Sequence, residues 1–280
     1  MIYVMEIKYV EKVKKAFEMV HTKKPLVHHI TNYVTVNDCA NITLAIGASP
    51  IMADDIREVE AITSISSALV LNIGTLNERT VQAMLAAGEK ANKLGIPVVF
   101  DPVGAGASEL RNRTTEQILE KVQLSVLRGN MSEIRFIAGL EASTKGVDAS
   151  DADINSGLAA GCSISETIAK KYGCVAAITG ETDIVSDGQH TLLLENGTKL
   201  LSGITGTGCM CTSLIGSFCG VTEDFLVAAA GGILCMGITG EAAAEKVGKE
   251  GSGSLHKAII DSVSNMNAEI FTKMAKIHEA

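Results

Sequence analysis

The residue with the most chemistry around it is Cys209. It closes the run Leu201-Ser202-Gly203-Ile204-Thr205-Gly206-Thr207-Gly208-Cys209, and a long apolar segment follows directly. Two glycines, a nucleophile-capable side chain and a helix start together make an anion site. The first turn of a helix offers unpaired N–H groups and the positive end of the dipole. Gly206 and Gly208 let the backbone approach a ligand where a side chain would collide. A thiol in that turn stands beside whatever anion docks there, and the chemistry this predicts is phosphoryl transfer. The competing reading is a glycine-rich turn that only starts a helix.

Asp101 ends the run Val98-Val99-Phe100 and precedes Pro102-Val103-Gly104-Ala105-Gly106. An acid at the end of a buried strand, followed by glycines, suits a Mg²⁺ or phosphate edge, and a turn cap accounts for it equally. In Arg128-Gly129-Asn130-Met131-Ser132-Glu133, Asn130 and Glu133 lie three apart at a helix start, so both can face one spot. A carboxylate there can hold Mg²⁺ through water, which this ion gives up reluctantly. Capping alone would also favour an acid in the first turn, with Ser132 as the expected cap. The planar fork of Arg128 suits a phosphate, or else a surface ion pair. Neither Gly-x-x-x-x-Gly-Lys-Ser/Thr nor a strand followed by Gly-x-Gly-x-x-Gly occurs, so the P-loop and dinucleotide readings lack their fingerprints.

These side chains need a scaffold, and apolar periodicity supplies one. Helices are expected at 6–20, 34–47, 56–65, 78–94, 114–122, 132–138, 163–172, 209–219, 224–245 and 254–277. Strands are expected at 26–30, 50–53, 68–74, 98–101, 124–127 and 175–179, with a hairpin of 184–186 and 191–194 around Asp187-Gly188. Residues 140–162, with Asp148, Asp151 and Asp153, read as a polar surface excursion. Alternating strands and helices predict an α/β fold, a doubly wound and mostly parallel sheet with helices on both faces. No linker or repeat divides the chain, so residues 1–280 read as a single domain. Ligands of such sheets bind beyond the carboxyl ends of the strands. The polar residues there are Thr31-Asn32, Asp54-Asp55, Asn72, Asp101, Arg128-Gly129-Asn130 and Thr179-Gly180.

Composition narrows the function classes. The net charge is −8 and no basic stripe appears, which argues against nucleic acid. An acidic protein that binds a phosphorylated ligand must supply attraction locally, from backbone dipoles and a metal. The seven cysteines lie mostly in apolar segments and fit free thiols in a reducing cytoplasm. No secretory signal is evident at the N-terminus. The apolar stretch at 225–244 is long enough to span a membrane, but no second span or basic flank supports insertion, so a buried core helix is expected. The adjacent His28 and His29 would face opposite sides of a strand, where one could edge the substrate pocket but a merely satisfied or exposed histidine is the expectation.

The Asn-x-x-Glu pair and the Gly-x-Gly turn resemble the ribokinase-like superfamily. The run Ile30-Thr31-Asn32-Tyr33-Val34-Thr35-Val36-Asn37-Asp38-Cys39-Ala40-Asn41 narrows the likeness, as do Gly47-Ala48-Ser49-Pro50-Ile51-Met52-Ala53, Asp101-Pro102-Val103-Gly104-Ala105 and Gly206-Thr207-Gly208-Cys209. In this order, from about residue 25 onward, they resemble the hydroxyethylthiazole kinases of thiamine salvage. The resemblance implies a ribokinase-like fold and ATP- and Mg²⁺-dependent phosphorylation of the alcohol of 5-(2-hydroxyethyl)-4-methylthiazole. It implies that Met52, Asn32, Val36 and Gly206 bind the substrate, and that Arg128, Thr179, Asn130 and Gly208 contact ATP. It places Asp101 and Glu133 at the metal and Cys209 as the catalytic base. It also implies a homotrimer with substrate sites at subunit contacts. Most ribokinase-like kinases carry Asp at the position of Cys209, which marks the thiazole branch. A pyrimidine-alcohol kinase or a nucleotide-hydrate dehydratase of the same superfamily would normally keep that Asp. A non-catalytic nucleotide-binding regulator would lose the reactive residue altogether.

Overall fold

The computed structural model describes residues 2–140 and 151–280, with side chains described from residue 8 to 140 and from 157 onward. In chain order the elements are α1 (Ile2–Lys23), β1 (Leu26–Ile30), α2 (Val36–Ala45), β2 (Ser49–Met52), α3 (Val59–Ser64), β3 (Ala68–Asn72), α4 (Glu78–Leu94) and β4 (Val98–Asp101). There follow α5 (Glu109–Lys121), β5 (Val126–Asn130), α6 (Met131–Ile137), α7 (Asp151–Tyr172), β6 (Val175–Thr179), β7 (Asp183–Ser186) and β8 (Thr191–Leu194). A 3₁₀ turn (Lys199–Gly203) leads into α8 (Thr207–Cys219), α9 (Phe225–Val247), α10 (Ser252–Ser264), α11 (Ala268–Met274) and β9 (Ile277–Glu279).

The strands form one sheet in the order β2-β1-β3-β4-β5-β6-β7-β8-β9. It is parallel from β2 to β6 and antiparallel from β6 to β9. The parallel strands are covered on both faces, so β3 and β4 are buried at every position rather than alternating. Successive residues still divide between the two faces. Ala68 and Val70 join the layer that holds α1, α8, α9 and α10, whereas Leu69 and Leu71 join the layer that holds α4 to α7. The register aligns the strand ends that matter: Asn72 lies opposite Asp101, Asn130 opposite Thr179, and Met52 opposite His29.

Helix α9 is the one described helix long and apolar enough to cross a membrane, and 83% of its apolar window is buried against the rest of the chain. It is a core helix, as expected. His28 is buried and satisfied, with Nδ1 3.0 Å from Thr63 Oγ1 and Nε2 2.8 Å from the Ala53 carbonyl. His29 meets Thr43 Oγ1 at 3.4 Å through Nε2, and its buried Nδ1 has no partner.

Several boundaries differ from the sequence expectation. Helix α5 begins at Glu109 because Ser108 accepts the Arg111 N–H as its cap. Strand β5 runs from 126 to 130, and its end residue Asn130, not Ser132, caps α6. Residues 151–162 are helical, part of α7, and the remainder of the expected polar excursion, 141–150 with Asp148, lies outside the described residues. The single helix expected at 254–277 is broken. Asn265 ends α10, and the Asn267 side chain accepts from Ile270 N to start α11. Asparagine bonds nearby backbone groups and so favours such caps over helix interiors. The chain then extends as β9, which pairs with β8 and closes the sheet.

Candidate active site

The carboxyl ends of β1, β3, β4, β5 and β6 converge on the first turn of α8. Gly206 caps that helix with φ +87°, a conformation that disfavours any side chain, and a Cβ there would stand 2.6 Å from Thr35 Cγ2. No side chain caps α8, so the first-turn N–H groups of residues 207–209 remain for a ligand. A Cβ on Gly208 would lie 2.8 Å from Arg128 Nη1, so only glycine lets this backbone approach the guanidinium.

Cys209 sits behind this turn. Its Sγ accepts N–H bonds from Asn32 Nδ2 and Asn72 Nδ2, each at 3.3 Å. Asn32 also donates to Asn72 Oδ1 at 2.9 Å, and Asn72 donates to Asp101 Oδ2 at 2.9 Å. Thr35 Oγ1 donates to Asn32 Oδ1 at 3.0 Å, and Thr212, one turn after Cys209, donates to Asp101 Oδ2 at 2.8 Å. Asp101 is fully buried, its Oδ1 has no partner, and Arg128 Nη1 stands 3.6 Å from Oδ2. Arg128 is therefore not a surface ion pair. Its Nη2 donates to Thr179 Oγ1 at 2.6 Å.

Burial pushes the Asp101 carboxyl up to about 6, against the pull of the Arg128 charge. Burial and then the charge of Asp101 raise the Cys209 thiol, and hydrogen bonds from Thr35, Asn32 and Asn72 oppose them. The helix N-terminus thus does not yield an acidic thiol here, and Cys209 is largely protonated at neutral pH.

Glu133 and Asn130 form a reciprocal capping box. Glu133 N donates to Asn130 Oδ1 at 2.9 Å and Asn130 N to Glu133 Oε2 at 2.8 Å. The other carboxylate oxygen accepts the Gly104 N–H at 2.8 Å, so Glu133 fixes the glycine turn that follows Asp101. Asn130 itself is exposed. Met52 and Val36 are half-buried, Met52 at the end of edge strand β2 and Val36 in the first turn of α2 beside Thr35.

On the other side of Gly208 opens a cavity of about 750 Å³. Arg128, Thr179, Thr207 and Gly208 line its polar end, and Leu201, Ile233 and Met236 its apolar part. A cavity of this size with a few convergent polar groups can take a small-molecule ligand. Its far wall is the segment after β8. Asn196 bonds Glu241 of α9, the Met274 carbonyl and Lys276 N, and Gly197 N donates to Glu241 at 2.9 Å. A Cβ on Gly237, one helical turn before Glu241, would stand 2.4 Å from the Asn196 carbonyl oxygen. Asp183 also lines the cavity and caps the Gly180 N–H at 2.8 Å.

The structure thus brings Cys209, Asn32, Gly206, Gly208, Asp101, Arg128 and Thr179 together and sets Glu133 beneath the Asp101 turn. Asn72, Thr35, Thr212, Asn196 and Glu241 are the residues that sequence reasoning leaves without a role. Asn72 alone carries a signal, as a polar residue ending a buried strand.

Residues 17–269 match the hydroxyethylthiazole kinase family. The chain is similar to the hydroxyethylthiazole kinase of Clostridium beijerinckii, with 63% identity over 268 residues that cover 96% of this chain and 97% of that one. Its fold is similar to the structure of a hydroxyethylthiazole kinase protein from Pyrococcus horikoshii OT3, with TM-score 0.86 and 36% identity over 96% of this chain and 98% of that one. The pyridoxal kinase of Staphylococcus aureus shares the fold at TM-score 0.57 and 14% identity, over 78% of this chain and 88% of that one.

Proposed function

Because this chain belongs to the hydroxyethylthiazole kinase family, we propose an account of how its residues carry out the family reaction. The enzyme is a ribokinase-like kinase that phosphorylates the alcohol of 5-(2-hydroxyethyl)-4-methylthiazole, giving the thiazole phosphate of thiamine salvage. ATP is the donor and occupies the 750 Å³ cavity with its phosphates toward Arg128, Thr179 and Gly208. The thiazole alcohol lies on the Cys209 side, against Met52, Val36, Asn32 and Gly206.

One observation carries this reading. Gly208 lines the cavity with the Arg128 guanidinium against it, and its chain neighbour Cys209 turns to the Asn32–Asn72 pair instead. A phosphoryl group crossing from cavity to alcohol passes the first-turn amides of α8. The alcohol oxygen bonds to the γ-phosphorus as the bond to the β-phosphate oxygen breaks. Its proton goes to the ionised fraction of Cys209 Sγ. A loose transition state asks little of the base, so positioning and charge neutralisation carry most of the acceleration.

The residues present fit Mg²⁺. Asp101 Oδ1 is a buried carboxylate oxygen without a partner, and Glu133 keeps lone pairs beyond its two backbone bonds. Among the described residues no group of three or more His, Cys, Asp or Glu could hold a metal. Asp101 and Glu133 would hold it, and when bound it would supply charge neutralisation on the phosphates.

The enzyme acts as one domain and as a homotrimer with substrate sites at subunit contacts. The support on this chain is the number of exposed apolar side chains in the stretch between β1 and β3, namely Tyr33, Val34, Leu44, Ile56 and Ile65. Seven free cysteines support a cytoplasmic location.

The test is to incubate the purified protein with Mg²⁺-ATP and the thiazole alcohol, then measure ADP and the mass of the alcohol. One thiazole phosphate per ADP is expected. An unmodified alcohol under saturating nucleotide overturns the reading, and phosphorylation of a hydroxymethylpyrimidine alone would move the chain to the neighbouring branch.

A further inference from the structure

Asn72 makes four hydrogen bonds in and around the site, and the mechanism does not yet use it. It is 1% exposed, at the last position of β3. Its amide nitrogen donates to Asp101 Oδ2 at 2.9 Å and to Cys209 Sγ at 3.3 Å. Its amide oxygen accepts from Asn32 Nδ2 and from Gly74 N, both at 2.9 Å. Two donors and two acceptor positions are thus all occupied.

That saturation fixes the amide's orientation. Turning it over would set its carbonyl against the Asp101 carboxylate and its NH₂ group against the Gly74 N–H. Two buried repulsions would replace two bonds, and unsatisfied buried polar groups are costly. Asn32 supplies the second N–H to the same sulfur, and Thr35 with Gly74 holds that amide pair in turn. A Cβ on Gly74 would lie 2.7 Å from Asn32 Nδ2, so the loop after β3 leaves that amide no slack.

We propose that Asn72 is a positioning residue that ties the Cys209 sulfur to the Asp101 carboxylate, so that the proton acceptor and the phosphate-side acid keep a fixed spacing during transfer. It touches neither ATP nor the alcohol in this assignment. Its bonds reach α8 and β4, the two elements whose relative position sets the distance between acceptor and phosphate. This rests on the reading of Cys209 as the base. A sulfur held by two N–H donors cannot swing with its rotamer, and a small misplacement at a reacting centre is enough to lower a rate strongly.

The experiment is a double-mutant cycle on the full chain with Asn72→Ala, Cys209→Ala and the pair, reading kcat and both KM values alongside thermal melting. Asn72→Ala is expected to lower kcat by about tenfold or more with the KM for ATP nearly unchanged, and to cost at most about twofold once Cys209 is Ala. If Asn72→Ala costs as much in the Cys209→Ala chain as in wild type, the residue does not act through the sulfur and the proposal is overturned, while the base assignment stands. A wild-type rate for Cys209→Ala alone overturns both. Should Asn72→Ala fail to fold, Asn72→Ser replaces it throughout the cycle, since its smaller polar side chain leaves room for a bridging water. The same non-additivity is then required.

Discussion

The two sides of Gly208 are built on different plans. On the thiol side, Asn32, Asn72, Asp101 and Thr212 are all buried, and each bonds another member of the set or the sulfur. They project from the ends of rigid parallel strands and from α8. On the side proposed for the nucleotide, an open cavity is walled in part by the segment after β8, which is steadied from behind by Glu241 and the chain around Lys276. In the proposed account, the half that does chemistry is preassembled, as electrostatic catalysis requires. The half proposed to bind the nucleotide has a loop as one of its walls, beside residues of β5, β6, α8 and α9. Disturbing the first should therefore lower kcat, and disturbing the second should raise the KM for ATP.

The sharpest way to break this comparison is at Gly208 itself. Gly208→Val puts a side chain into the space of the Arg128 guanidinium, 2.8 Å from Nη1. It should cut kcat/KM for ATP by about a hundredfold or more, because it displaces a phosphate ligand and blocks the turn amides. Steady-state kinetics with varied ATP, backed by a melting curve, measures this. A loss below about threefold would mean that phosphates do not pass this turn.

A milder probe reaches only the wall segment. Gly237→Ala forces α9 away from the Asn196 carbonyl, which a Cβ would meet at 2.4 Å. The KM for ATP should rise by about tenfold with kcat within about twofold of wild type. Equal loss in kcat would show that the two halves are not separable.

How much of this the sequence shows follows the same division. The chemical half lies at strand ends, and each strand is a short apolar run stopped by a polar residue, so Asn32, Asp101 and Thr179 stand out locally. The glycines of the α8 turn do so as well. What local reading cannot supply is partnership. The rule about strand ends picks out Asn72 yet cannot say that its amide meets residues from β1, β4 and α8. The wall of the cavity is still less visible. Asn196 and Glu241 are 45 positions apart, and Lys276 is 35 beyond Glu241. They meet where β9 pairs with β8, and β9 begins only at the last residue of the segment 254–277, whose apolar spacing reads as one helix. Asn130 and Ser132 are both good caps by type, and only the length of β5 decides between them.

The smallest expected effect concerns pH and the strand beneath the thiol side. Burial holds His29 at about 3 against an ordinary 6.5, so the unfolded chain binds the extra proton. Its contribution to stability is complete above about 6.5 and is lost as pH falls toward 3. Asp101, raised from 3.8 to about 6, works in the opposite direction, and its contribution is lost as pH rises through that interval. The two offset each other between about pH 4 and 6. Urea melts of His29→Gln should therefore show stability falling from pH 4 to 6 more than in wild type. An unchanged profile would mean that His29 is not held neutral in the fold.

The central claim is that the sulfur at position 209 takes the proton as phosphate passes the α8 turn. The direct measurement is the single-turnover rate of thiazole phosphate formation at saturating Mg²⁺-ATP and alcohol, for wild type, Cys209→Ala and Cys209→Asp. The account predicts a loss of about ten- to a hundredfold for alanine, at the low end of general-base effects because the transition state is loose, with aspartate at or above wild type. Alanine turning over at the wild-type rate would contradict it.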